Sequence, residues 1–230
     1  MASIIAMLRK ARRGLEKVVA PGSNVSYAQA GEDLVLDFLI NYQPTGFYVD
    51  VGCNHPSKGS NSFRFYRKGW RGVVIDANAD FGPAYRRVRP RDAFVAACVS
   101  DTVAVVDFHV FKGDALSSIS GKSLYNDPEK YTVKRVEQLT TRRLDDILAT
   151  ENAPPSFEFL SIDVEGHDEA VLRSIDLERF TPQVILLEVN DSDLDPSNPG
   201  QSWAATYLAG QGYRLIAMHW GNLFFVRSPT

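Results

Sequence analysis

Gly46-Phe-Tyr-Val-Asp-Val-Gly-Cys-Asn-His-Pro56 is the stretch that decides the fold of this 230-residue chain. Its β-branched and aromatic residues predict a buried strand, and an acid, a glycine and turn-forming residues follow at the end of that strand. The pattern therefore places the carboxylate of Asp50 at the carboxyl edge of a sheet. Ligands of open α/β sheets bind at this edge, so we expect a binding site here.

Later segments repeat the order strand, helix, strand. The same pattern predicts further strands at residues 72–76, 93–99 and 157–163. This order is typical of parallel βαβ units, whose right-handed crossovers bring the carboxyl ends of the strands to one side of the sheet. Asp50, Asp76 and the pair Ser100 and Asp101 are therefore expected along one rim.

Length and composition favour one globular domain. The chain is 44% hydrophobic and 23% charged, and its net charge of −3 argues against a nucleic-acid partner. No apolar run approaches the roughly 20 residues that cross a membrane. Cys53 and Cys98 are too few for a disulfide framework, so we expect a reducing compartment, the cytoplasm. The four histidines and two cysteines show no zinc-site spacing.

Residues 1–22 are predicted to form a basic amphipathic helix, and residues 23–230 a single domain. Apolar residues such as Ile4 and Leu8 have helical spacing, while arginines and lysines cover the other faces. In one interpretation this helix packs on the domain or on another subunit of a homo-oligomer. In the other, residues 1–20 lie on an anionic membrane surface, at the inner face of the membrane.

Ser26 and Gln29 have the spacing of a capping box, which predicts that the next helix starts there. The apolar face of that helix is formed by Leu34, Val35, Phe38 and Leu39. Gln29, Glu32 and Asp33 either serve the site or only cap and solvate this helix.

The predicted rim lacks the common phosphate-binding motifs. The turn Asp50-Val-Gly52 does not have the spacing of the dinucleotide fingerprint, and the chain has no P-loop. An acid at the end of the second strand, Asp76, suits the two hydroxyls of a ribose, with each hydrogen bond worth roughly 1.5–3 kcal/mol. The predicted ligand is a nucleoside without a diphosphate. S-adenosylmethionine fits, because its sulfonium charge suits a rim of carboxylates. For any one acid alone, helix capping or solvation remains the alternative.

Several motifs in order resemble those of the FkbM-type methyltransferases, within the Rossmann-like S-adenosylmethionine-dependent superfamily. They are Ser26-Tyr-Ala-Gln-Ala-Gly-Glu-Asp33, Gly46-Phe-Tyr-Val-Asp-Val-Gly-Cys-Asn-His-Pro56, Ser60-Asn-Ser62, Phe65-Tyr-Arg-Lys-Gly-Trp-Arg-Gly72, Arg89-Pro-Arg-Asp92 and Leu160-Ser-Ile-Asp-Val-Glu-Gly-His167. The resemblance runs from about residue 26 to 190, with Cys53 where alanine is usual and Asp76 where glutamate is common. It implies a Rossmann-like class I methyltransferase fold, an α/β fold whose mainly parallel seven-stranded sheet carries helices on both faces.

The resemblance also implies that S-adenosylmethionine is the cofactor. It implies that Asp50, Gly52 and Asn54 hold the methionine end of the cofactor and that Asp76 accepts the ribose hydroxyls. Ala77 and Asn78 are implied to lie beside the adenosine, and Ser100 and Asp101 near the adenine. Asp163 is implied to face the transferable methyl group. Gly52 has a physical reason as well, because only a residue without a Cβ lets the backbone approach the ligand closely.

Methyl transfer to a hydroxyl is the implied reaction, and a sugar in a glycan, a glycolipid or another natural product is the expected acceptor. A hydroxyl is a weak nucleophile until its proton leaves, so we expect a base. His167 is the first candidate and His55 the second, since histidine titrates near neutrality. Glu165 and Glu188 are weaker candidates.

Other interpretations stay open from the sequence. In one interpretation, Asp163 ligates a divalent cation together with Glu188 or Asn190, although the metal-free reaction is favoured and no metal ligand is assigned. In a second interpretation, the acceptor is a nitrogen or a carboxylate of a small metabolite or protein. In a third, the chain is a non-catalytic nucleoside-binding protein of the same fold.

Overall fold

The computed structural model describes residues 24–112, 119, 132–189 and 194–229. The N-terminal helix predicted over residues 1–22 and the metal-ligand candidate Asn190 lie outside these ranges. Within them, no helix is both long enough and apolar enough to cross a membrane. Cys53 and Cys98 are buried and not bonded to each other.

Nine strands are found in the described residues, and seven of them form one sheet. The strands are β1 (Phe47–Val51), β2 (Arg71–Asp76), β3 (Ala93–Ala96), β4 (Val105–Phe111), β5 (Val133–Thr140), β6 (Ser156–Ile162), β7 (Thr181–Glu188), β8 (Tyr213–His219) and β9 (Asn222–Arg227). The order in the large sheet is β3-β2-β1-β6-β7-β9-β8. Strands β1, β2, β3, β6 and β7 are parallel, whereas β9 runs antiparallel to β7 and to β8. The prediction of a mainly parallel seven-stranded sheet is confirmed.

Helices cover both faces of this sheet. They are α1 (Glu32–Leu39), α2 (Phe63–Lys68), α3 (Gly82–Val88), α4 (Leu144–Thr150), α5 (Asp168–Arg173) and α6 (Trp203–Gly210), with short 3-10 turns at Ala79–Phe81 and Pro199–Gln201. Alternation along β1 sends Tyr48 to a core shared with α1, α2 and α3, and Val49 and Val51 to a core shared with α4, α5 and α6. The two cores fix the central strands and leave their carboxyl ends for a site.

Strands β4 and β5 form a separate antiparallel pair outside the large sheet. Phe108 and Val110 on β4 are buried, while alternate residues of β5 are exposed. Arg135 on β5 donates a 2.9 Å hydrogen bond to Asp80, which follows β2. The pair therefore lies over the chain that leaves β2.

The predicted start of α1 is wrong. The helix begins at Glu32, after Gly31 with a φ of 102°, and no side chain caps it. The hydroxyl of Ser26 donates to the carboxylate of Asp33 instead (2.6 Å), and the backbone N–H of Tyr27 donates to the same carboxylate (2.8 Å). Because Asp33 is fully buried, these bonds are needed to satisfy it.

Candidate active site

A cavity opens at the carboxyl edge of the large sheet, where the chain leaves β1, β2 and β6. The open space within and at the mouth of this cavity, including solvent, is about 560 Å³. Seven of the residues predicted for the site line it: Gly52, Asn54, Asp76, Ala77, Asp163, Glu165 and His167. The apolar part of the lining includes Ile75, Val99 and Phe108, which the sequence did not single out. The predicted residues Asp50, Asn78, Ser100, Asp101 and His55 stand around the cavity without being among its lining residues.

Gly52 lets the chain after β6 close onto the end of β1. Its φ is 81°, and a Cβ built there would overlap the backbone carbonyl oxygen of Asp163. The N–H of Gly52 donates to the carbonyl of Ile75 (2.9 Å), and the N–H of Asp163 donates to that of Val51 (3.0 Å). The backbone of Asp163 therefore requires a glycine at position 52, whereas the sequence analysis attributed this requirement to the approach of a ligand.

Asp76 is held by two backbone donors. One carboxylate oxygen accepts from the N–H of Asn54 (2.9 Å) and the other from the N–H of Asn78 (2.8 Å). Burial raises the pKa of Asp76 to about 6, while both hydrogen bonds act in the opposite direction. Each oxygen keeps a further lone pair. The carboxylate is thus fixed in position and ready to accept two hydroxyl donors.

Asp163 and Glu188 form a carboxyl pair at the ends of neighbouring strands. Ile162 pairs with Leu187 in the parallel register of β6 and β7, so the next residues, Asp163 and Glu188, stand side by side. Burial, and then the charge of Glu188 and a hydrogen bond with it, raise the pKa of Asp163 well above its usual value. Two neighbouring carboxylates repel each other when both are ionised, so this pair holds a proton more readily than an isolated carboxyl group does.

Asp168 shapes the turn that carries Glu165 and His167. Its carboxylate accepts hydrogen bonds from the N–H groups of Val164 and Gly166, both at 3.0 Å. Glu165 has a φ of 55°, in the left-handed region. Burial, and then the charge of Asp163, raise the pKa of Asp168 to about 7 and that of Glu165 to about 8. The sequence carried a signal for Asp168, an acid in the first turn of a helix two residues after a glycine.

His167 faces the side of the cavity where the chain leaves β3. Its Nε2 atom lies 3.0 Å from the hydroxyl oxygen of Ser100. Burial lowers the pKa of His167, and the charge of Asp101 acts in the opposite direction. His167 and Asp101 also line a shallower depression beside the cavity. Ser100 thus contacts His167, and the charge of Asp101 acts on the His167 ring.

A buried arginine holds Asp50 in place. Asp50 is 4% exposed, and its carboxylate accepts a short hydrogen bond from the hydroxyl of Ser62. The guanidinium of Arg89, which is fully buried, donates to the hydroxyls of Ser62 (2.9 Å) and Tyr48 (3.0 Å) and pairs with Asp92 (2.6 Å). Ser62 and Arg89, which belong to two of the sequence motifs, therefore stabilise the end of β1 next to the site. Asp50 takes part in these buried contacts.

His55 belongs to the fold of the chain that follows β1. Its Nδ1 atom accepts hydrogen bonds from the N–H groups of Ser57 and Lys58, both at 3.2 Å. Arg89 reaches the same segment through the carbonyl oxygen of Pro56 (3.4 Å). These contacts hold the ring of His55 against the loop through its Nδ1 atom.

The described part of the chain contains no group of three or more His, Cys, Asp or Glu side chains placed to hold a metal ion. The interpretation with a divalent cation included Asn190, which lies outside those residues.

Two solved structures share a general similarity with the chain. One is a TehB-like SAM-dependent methyltransferase from Corynebacterium glutamicum, with 12% identity, 96% coverage of both chains and a TM-score of 0.39. The other is the 1,6-didemethyltoxoflavin-N1-methyltransferase of Burkholderia thailandensis with bound 1,6-didemethyltoxoflavin and S-adenosylhomocysteine, with 11% identity, coverage of 99% of this chain and 90% of that one, and a TM-score of 0.42. Because both TM-scores lie below 0.5, these similarities carry no information on the acceptor.

One family profile matches most of the chain. No curated protein matches the chain significantly. The sequence profile described as the Methyltransferase FkbM domain matches residues 50–215, which is more than half of the chain. This span contains the residues that line the cavity, from Val51 to His167. The chain therefore belongs to the FkbM methyltransferase family and is an S-adenosylmethionine-dependent methyltransferase.

Proposed function

We propose that this enzyme transfers the methyl group of S-adenosylmethionine to a hydroxyl of a sugar, in a glycan, a glycolipid or another natural product. The observation that carries the proposal is the Asp163–Glu188 carboxyl pair beside the cavity. A hydroxyl oxygen must lose its proton as the new bond to carbon forms. A buried carboxyl pair with a raised pKa is suited to take that proton.

The cofactor is proposed to lie along the cavity from β6 to β3. The two oxygens of Asp76 accept the ribose hydroxyls, because Asn54 and Asn78 already hold that carboxylate in place. The adenine packs against the apolar lining, which includes Val99 and Phe108. The sulfonium and its methyl group then lie near Asp163, whose charge favours a cation.

The reaction in this arrangement is an in-line displacement. Bound S-adenosylmethionine would supply the methyl group to the acceptor oxygen, and its sulfur would keep the electron pair of the broken bond and leave as neutral S-adenosylhomocysteine. The hydroxyl proton passes to the carboxyl pair of Asp163 and Glu188, which holds one negative charge and becomes neutral. Positioning of the two reactants supplies much of the rate.

The carboxyl pair replaces His167 as our proposed base. The Nε2 atom of His167 contacts Ser100, on the side of the site where the adenine is proposed to bind. Asp163 and Glu188 end two strands on the opposite side, next to β9. This side remains for the acceptor once the cofactor fills the cavity.

The charge of the site separates the alternative acceptors. A carboxylate acceptor would approach the negative charge of the Asp163–Glu188 pair against repulsion between like charges. An amine would be attracted, so N-methylation is the second candidate.

The proposal is tested by offering the purified enzyme S-adenosylmethionine labelled in its methyl group. The acceptors are methyl glycosides of glucose, galactose, mannose, fucose and rhamnose, with disaccharides that carry each sugar at the non-reducing end, and matched sets of amines and carboxylic acids. We expect base-stable methyl ethers of sugars, and a large loss of activity in Asp163→Asn with the affinity for S-adenosylhomocysteine largely kept. Base-labile methyl esters or methylated amines as the products would overturn the proposal.

A further inference from the structure

Trp220 is an exposed aromatic residue in an unusual position. It lies in the turn between β8 and β9, its side chain is 80% exposed, and its φ of 53° falls in the left-handed region. Tryptophan is mostly buried in folded proteins, because its ring is the largest apolar side-chain surface. A tryptophan exposed to this extent gains little for the stability of the fold, so its position suggests contact with a ligand.

The turn that carries Trp220 is fixed at the same edge of the sheet as the cavity. Asn222, at the start of β9, pairs with Glu188 at the end of β7. On one side of the turn, the N–H of Val189 donates to the carbonyl oxygen of Gly221 (2.9 Å). On the other, the Nε2 atom of His219 lies 2.9 Å from the carbonyl oxygen of Ala30. Trp220 therefore stands on an anchored turn next to the carboxyl pair.

The sheet sets the distance between this turn and Asp163. Strand β9 is two strand spacings from β6, so the turn lies roughly 10 Å from Asp163. None of the described residues that line the cavity comes from β7, β8 or β9. An acceptor that approaches Asp163 from the side of β7 therefore passes Glu188 and the turn.

We propose that Trp220 determines the choice of acceptor by stacking on the ring next to the one that is methylated. This inference rests on the proposed function and names its substrate class, a neutral glycoside of at least two rings. The indole face packs on the apolar face of a sugar ring, while Glu188 accepts hydrogen bonds from its hydroxyls. The carboxylates beside the turn disfavour an anionic sugar at this position.

The test compares Trp220→Ala, Trp220→Phe and the control Phe38→Ala with the wild-type enzyme. Phe38 is also an exposed aromatic residue (62%), but it lies near the C-terminal end of α1. The acceptors are a monosaccharide methyl glycoside that the wild type accepts and the disaccharide that carries the same sugar at its non-reducing end. For Trp220→Ala we expect the KM of the disaccharide to rise about tenfold, with kcat, the KM of the monosaccharide and the Kd of S-adenosylhomocysteine unchanged. Trp220→Phe recovers most of the loss, and Phe38→Ala shows none.

Each other outcome contradicts the inference. An unchanged KM for the disaccharide in Trp220→Ala, or an equal loss for both sugars, overturns the role of Trp220 and leaves sugar methylation intact. Weaker binding of S-adenosylhomocysteine in this variant shows a change of the cofactor site instead. Failure of the wild type to methylate any sugar overturns the proposed function, and the stacking role with it.

Discussion

Replacing Asp76 by asparagine tests the cofactor site at its most constrained side chain. Asparagine has nearly the same shape, but it offers one acceptor oxygen where the carboxylate offers two. Both oxygens of Asp76 accept backbone N–H groups, from Asn54 and Asn78. In the variant, one of these N–H groups must face the amide NH2 group. That loop then shifts, and the ribose loses a charged acceptor.

The expected loss follows from the hydrogen bonds involved. A hydrogen bond to a charged group contributes about 1.5–3 kcal/mol. Relaxation of the loop offsets part of the loss of the two ribose bonds, so we expect binding to weaken by about 2–3 kcal/mol. This corresponds to a Kd about 30- to 150-fold higher.

The assay is calorimetric titration with S-adenosylhomocysteine at pH 8, together with thermal unfolding to show that the variant is folded. The control is Asp107→Asn, which makes the same change at an exposed aspartate of β4 whose carboxylate accepts one long hydrogen bond from Gln138 (3.4 Å). We expect the control to bind as the wild type does.

A pH series adds a second criterion for Asp76. Ribose hydroxyls donate to the ionised carboxylate, whose pKa in the free protein is about 6. The contribution of Asp76 to affinity is therefore nearly complete above about pH 7, is reduced about twofold at this pKa, and falls by up to about tenfold per pH unit below it. Asp76→Asn lacks this part of the pH dependence. A Kd of the variant within threefold of the wild type, or the same pH dependence in both proteins, would refute the proposed role of Asp76.

Three further predictions concern the fold around the site. Gly52→Ala should abolish S-adenosylhomocysteine binding in calorimetry and lower the Tm, because the new Cβ overlaps a carbonyl oxygen. Gly69 has a φ of 110° and open space around a built Cβ, so the control Gly69→Ala should lower the Tm alone. Arg89→Lys should reduce the free energy of unfolding in urea by about 3–5 kcal/mol, because an ammonium group cannot keep the paired hydrogen bonds of the buried guanidinium; a loss below 1 kcal/mol would contradict this. Without cofactor, the free energy of unfolding should rise as the pH is lowered from about 8 to about 5, since the raised pKa values of Glu165 (about 8) and Asp168 (about 7) make the folded protein bind more protons than the unfolded chain. Urea titrations at several pH values measure this slope, which Glu165→Gln should flatten; stability that rises with pH would contradict it.

The strands and their terminal acids were predictable from local sequence. Residues 47–51 and 71–76 combine β-branched or aromatic residues with an acid and a turn, and both form parallel strands of the sheet. Strand propensity does not say which sheet a strand joins, and β4 accordingly pairs only with β5. The start of α1 was missed because Asp33, buried seven residues later, takes the hydroxyl of Ser26 that a helix cap would use.

The pairing of side chains within the site was harder to foresee. The carboxyl pair arises from the register of β6 and β7, and a register between separate strands is fixed by packing. The requirement for Gly52 comes from the backbone of Asp163, more than 100 residues further along the chain. Likewise, Arg89 joins segments before and after β2, so its role depends on tertiary contacts.

The concentration of carboxylates at the cavity also bears on how the enzyme completes a catalytic cycle. S-adenosylmethionine carries a positive charge on sulfur, and S-adenosylhomocysteine carries none. In the proposed mechanism, one chemical step removes the charge that holds the cofactor and neutralises the Asp163–Glu188 pair. Both changes weaken the attraction between product and protein, so chemistry itself promotes product release. The pair must then lose the proton that it took from the acceptor before the next cation binds, and the loss of this proton becomes the slow part of turnover as the medium becomes more acidic.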